Sequence, residues 1–188
     1  LGTITAPDLT RAVHQLSDDE LVRVIRHGVL PDGSSVAAMP SASFYDLTDA
    51  DLGRIIAFLR SLPRSDGAYR NIQLGPLGRV LFVTGEFEPA AAAIDHDAPR
   101  IDPRDDSDPM ALGEYLAMTV CTECHGPDLS GGYETPNLAI AASYSPEEFR
   151  TLLRTGEPRD GRDLRLMDDM SRSRFSHFTD EELSLIHI

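Results

Sequence analysis

Lysine and tryptophan are missing from this chain altogether. All 17 basic residues are arginine, set against 31 aspartates and glutamates, for a formal net charge of -14. Such a surface repels nucleic acid and anionic lipid and favours partners with a basic docking face; acidity kept only for solubility gives the same count. Aromatic residues make up only 6% of the chain, but a hydrophobic share of 41% still allows a buried core. Cysteine occurs twice, at Cys121 and Cys124, which excludes a scaffold stapled by several disulfides. No run is apolar and long enough to span a bilayer, and no signal peptide is visible.

What is present is an internal repeat. Residues 6–60 carry Ala6-Pro7-Asp8-Leu9, Ser17-Asp18-Asp19-Glu20-Leu21, Arg26-His27-Gly28, Asp32-Gly33, Met39 and Leu47-Thr48-Asp49. Residues 135–183 carry, in the same order, Thr135-Pro136-Asn137-Leu138, Ser145-Pro146-Glu147-Glu148-Phe149, Arg154-Thr155-Gly156, Asp160-Gly161, Met167 and Phe178-Thr179-Asp180. The interval from Gly28 to Met39 equals that from Gly156 to Met167, and the Pro7–Met39 and Pro136–Met167 intervals differ by one residue. Two homologous modules explain this better than chance.

Both copies read as helical. Ser17 with Glu20, and Ser145 with Glu148, have the spacing of a capping box. Leu21, Val24 and Ile25 form one apolar stripe and Phe149, Leu152 and Leu153 another, and Gly28 and Gly156 stop the helices. A second helix in each module starts at Thr48 or Thr179. Another, opening at Asp108, runs from Pro109 to Val120 and leads into Cys121. The sequence therefore predicts an all-α fold: a first module over 1–62, a Pro/Ala-rich linker over 63–108 and a second module over 109–188. The apolar stretch from Leu77 to Val83, inside the linker, is compatible with a strand or a helical turn. Residues 183–188 resemble a translated sequencing-library transposon end, so the last helix is expected to break after Glu182, and His187 is assigned no role. His14, His27, His96 and His177 lack ligand spacing and read as surface or structural residues.

Cys121-Thr122-Glu123-Cys124-His125 is the C-x-x-C-H pattern of covalent haem attachment. Two thiols three apart on a helical turn can add to the two vinyl groups on one haem edge, and the next residue offers an imidazole to the iron. A zinc site would need four ligands, and no second Cys pair or His pair follows. A thiol–disulfide motif belongs at a strand-to-helix junction, and no strand is expected here. The sixth iron ligand is best assigned to Met167 because it matches Met39 across the repeat. Met170 competes, since it is Met170 that aligns with Met39 when counted back from Thr179-Asp180. Met110 and Met118 read as core filler.

With these residues in place, the chain resembles the class I cytochrome c family, most closely its bacterial two-module, dihaem members. The resemblance rests on C-x-x-C-H, then Pro136-Asn137-Leu138, a helix, a ligand Met and a last helix, with Leu59-Arg60-Ser61-Leu62-Pro63 closing the first module. It implies a periplasmic or membrane-tethered electron carrier for a dehydrogenase or oxidase, without a reaction of its own. It further implies that the Pro136 carbonyl fixes the His125 ring, that Pro7 does this in module one, that Met39 ligates a first haem, and that Asn137 and Tyr133 line the propionate side. The attachment motif of module one would fall upstream of Leu1, so the chain reads as truncated there. An enzymatic alternative is the haem c subunit of a dihaem peroxidase or a dehydrogenase complex, which would need a displaceable sixth ligand.

Overall fold

The computed structural model describes residues 2–3, 6–37, 39–65, 73–86, 88–101, 108–132 and 134–188. Tyr133, Pro103 and Asp105-Asp106 lie outside these. Among the described residues the fold is helical, apart from a short antiparallel ladder between β1 (Gly2–Thr3) and β2 (Gln73–Leu74) and an isolated antiparallel bridge between Val29 and Ser35. The chain divides into two compact units, Leu1–Ile101 and Asp102–Ile188.

The first unit holds α1 (Leu9–Gln15), α2 (Asp18–His27), α3 (Ser41–Phe44), α4 (Asp49–Ser61) and α5 (Pro76–Val83). Its core is Val13, Leu21, Leu52 and Ile56. Ser17 and Glu20 form the reciprocal cap at the start of α2, Gly28 ends that helix in the left-handed conformation, and Thr48 caps α4. The Leu77–Val83 stretch is helical, as part of α5, and exposes Leu77, Val80, Phe82 and Val83. Residues 89–101, read from the sequence as linker, pack on this unit instead. The Ala91 amide donates to Ser35 Oγ at 3.0 Å, the Ile101 amide to Asp46 at 2.9 Å, and Ile94 is buried.

The second unit holds α6 (Pro109–His125), a 3-10 turn at Leu138–Ser143, α7 (Pro146–Thr155), α8 (Leu166–Ser173), a 3-10 turn at Phe175–His177 and α9 (Asp180–His187). Its core is Tyr144, Phe149, Leu153, Phe175 and Leu183. Capping boxes at Ser145/Glu148 and Thr179/Glu182 start α7 and α9. The expected break after Glu182 does not occur. The next residue, Leu183, is 1% exposed and seats the helix in the core, while the His187 ring stacks on Phe149 with centroids 4.7 Å apart.

One contact is repeated in both units. Arg26 Nη2 donates to the Leu47 carbonyl at 2.7 Å and to Asp49 at 2.8 Å. Arg154 donates to the Ser176 carbonyl and, at 2.8 Å, to Asp180. Each arginine sits two residues before a left-handed glycine, and each aspartate is the first residue of a helix capped by threonine. The arginine–aspartate pair is thus common to both units, while the carbonyls that accept from the arginines, Leu47 and Ser176, lie at different distances before the aspartate.

Candidate functional site

Cys121, Cys124 and His125 occupy the last turn of α6. The helix is started by Asp108, whose side chain accepts from the Met110 and Ala111 amides, and it ends at Gly126 with φ +83°. Helical spacing puts the two thiols, both free, on one face; Cys121 is half-buried and Cys124 exposed. Burial, and secondarily the neighbouring Cys124, push the Cys121 thiol up to about 11.

His125 is 8% exposed, and its Nδ1 lies 2.9 Å from the Pro136 carbonyl. A carbonyl can only accept, so Nδ1 carries the proton, and in the neutral ring Nε2 is then the nitrogen with the lone pair. This is the contact that the resemblance implies.

The backbone between them is built to bring Pro136 back. The Gly131 amide donates to the His125 carbonyl at 2.8 Å, Gly132 to Thr135 at 2.9 Å, and Leu138 to Leu129 at 2.9 Å. Gly131 has φ +86°, and a Cβ there would lie 2.5 Å from the Thr135 oxygen and 2.6 Å from the Pro136 carbonyl carbon. Only glycine lets the two strands of this loop approach so closely. Sequence reasoning missed Gly131; the Gly131-Gly132 pair was the available signal.

Met167 and Met170 lie on α8, three residues apart and hence on neighbouring turns of one face. Both are half-buried against the cluster of Tyr144, Phe149, Leu153, Phe175 and Leu183, which Val120 of α6 also joins. Just before α8, Arg165 adopts φ +53° and ψ -115°, a strained conformation for a side-chain-bearing residue. Next to Met170, the Ser171 hydroxyl is fully buried without a hydrogen-bond partner.

The remaining predicted residues stand elsewhere. Asn137 is exposed, and its Oδ1 accepts from the Ala139 amide at 2.7 Å, capping the 3-10 turn. Met39 is half-buried ahead of α3, with its carbonyl accepting from Ser41, and Pro7 is exposed beside Asp8, the cap of α1; both belong to the first unit. A groove of about 430 Å³ lies between α6 and α9, lined by Met110, Gly113, Ala117, Leu185 and Ile186, toward the end of α6 away from Cys121.

Among the described residues, no three His, Cys, Asp or Glu side chains converge in a way that could hold a metal ion by themselves. The donor set here is instead two thiols on one turn, an imidazole with a fixed proton, and half-buried thioethers in the same unit. By its chemistry that set fits a covalently attached haem. No protein-family model matches the chain, and no curated protein matches it.

Proposed function

We propose that this protein carries covalently bound haem c on Cys121, Cys124 and His125 and acts as a periplasmic electron-transfer protein. The observation that carries the reading is the 2.9 Å contact between His125 Nδ1 and the Pro136 carbonyl, made on the turn that also bears both thiols. It would orient the ring and direct Nδ1 to the carbonyl, which is what an imidazole holding haem iron through Nε2 would need.

Haem held at this site supplies reversible one-electron iron chemistry. The chain's own contribution is attachment and tuning. Cys121 and Cys124 form the thioether links. Pro136 raises the basicity of His125 by accepting its Nδ1 proton. Met167, with Met170 as the alternative, provides a thioether ligand that favours a higher potential than harder ligands give. The apolar cluster of Tyr144, Phe149 and Phe175 packs against Met167 and Met170 and limits water around their thioethers. In the two-module reading, Met39 and Pro7 serve a first haem in the same way. The redox partner is a dehydrogenase or oxidase that meets the acidic surface with a basic docking face.

The test is optical titration of the full chain, made with haem-maturation machinery, against redox mediators. The reading expects a single reversible one-electron Soret transition and no peroxide turnover. An absent Soret band contradicts it, and peroxide turnover transfers the assignment to the enzymatic alternative.

A further inference from the structure

A pair of histidines outside the candidate site joins segments far apart in sequence. His27, the last residue of α2, and His96, in the segment that packs on the first unit, bring their Nδ1 atoms to 3.0 Å, with ring centroids 5.1 Å apart. Tyr45 completes the arrangement. Its ring stands edge-on to His27 at 5.7 Å, and its hydroxyl lies 3.0 Å from the His96 carbonyl and 2.8 Å from that of Ala98. Residues 89–101 are therefore a strap held at both ends, by Ala91 on Ser35 and Ile101 on Asp46, and pinned in the middle by the imidazole pair.

A contact between two Nδ1 atoms is a hydrogen bond only while one of them is bare. Protonating both turns it into two N–H groups facing each other at 3.0 Å, with two positive charges added. We infer that the His27–His96 pair is a proton-gated clasp that holds the strap closed at neutral pH and releases it as the pH falls through the imidazole range.

Among the described residues, no carboxylate is ion-paired with His27 or His96; Asp95 and Asp97 flank His96 in sequence. Arg26 on α2 and Arg100 on the strap share Asp49 of α4, which is thereby already engaged. Asp46 accepts the Ile101 amide, and Asp95, beside His96, accepts the Asp97 amide. Burial, then His96, Arg26 and Arg100, hold His27 below its ordinary value. The sign follows from linkage: a histidine with a lowered value in the closed state binds fewer protons there than in the open state. Closure is therefore favoured above the ordinary imidazole value and weakens below it.

The test is amide hydrogen exchange on the full chain at Ala91 and Ile101 from pH 7.5 to 5.5, corrected for intrinsic exchange. Each pH unit by which closure lowers the pair's proton affinity appears as about a tenfold loss of protection in the wild type. His96→Gln and His27→Gln, both at surface-accessible positions, should each show a weaker pH dependence of protection than the wild type. Wild-type protection constant across the window overturns the clasp. So does a variant that keeps the wild-type pH dependence. Neither result depends on whether haem is attached.

Discussion

His125 can donate from Nδ1 only while Pro136 stays overhead, and Pro136 stays there only because position 131 has no side chain. Gly131→Ala should therefore release the ring. Nitrogen NMR of the haem-free chain should show His125 as a single Nδ1-protonated tautomer in the wild type and as a mixture in the variant. Gly161→Ala is the control, since Gly161 also has positive φ, +67°, but its Cβ would meet nothing within 4 Å. A variant that keeps the wild-type tautomer would dissociate Gly131 from the site. Met167 and Met170 can be separated in the same spirit. Met167→Ala, and not Met170→Ala, should abolish the weak red-edge charge-transfer band of a ferric His/Met haem. The reverse pattern moves the ligand to Met170. Cys121, Cys124 and His125 were legible in the sequence because spacing along one helical turn is local. The choice between two methionines was not, because both lie on one face of α8 against one cluster.

Helix starts were legible for the same reason. Ser17/Glu20 and Ser145/Glu148 are reciprocal caps as their spacing implies, and Ser145→Ala should cost about 1 kcal/mol in thermal unfolding of the chain. What the sequence could not reveal were crossings between helices distant along the chain. Gly113 sits inside α6, where glycine is unfavourable by about 1 kcal/mol relative to alanine. It is needed because α9 crosses there: a Cβ at Gly113 would overlap the Leu185 carbonyl. Gly113→Ala should accordingly destabilise the second unit by about 1–3 kcal/mol despite its better helix propensity. A stability equal to or above the wild type's in urea unfolding would contradict that packing. The extent of α9 was misjudged on similar grounds, since Leu183 is held by contacts from other helices and not by any local pattern. Likewise, the strap at 89–101 reads as linker because it has no periodicity; its hold comes from side chains such as Tyr45 and Asp46.

Across both units the same charge arrangement recurs, and it makes stability depend on acid in a defined direction. Arg26 and then Arg100 bond to Asp49 and hold it below the usual carboxylate range; Arg154's bond, then Arg150's charge, do so for Asp180. A lowered carboxylate contributes stability above its ordinary value and loses that contribution as the pH falls through its folded value. Both pairs reach solvent, so each effect is modest. The loss of helical circular dichroism below about pH 4 should be smaller in Asp180→Asn than in wild type. An unchanged acid profile would mean that the Arg154 clasp does not bear on folding.

The central claim is covalent: an iron porphyrin joined to the chain through the sulfurs of Cys121 and Cys124. Intact-mass spectrometry of the protein matured in an oxidising compartment with haem-attachment machinery measures it directly. The account predicts a mass increase of one haem for residues 1–188, mapped to the peptide containing Cys121 to His125, and none in a Cys121→Ala/Cys124→Ala variant. Two free thiols and no adduct in the mature wild-type protein would contradict it.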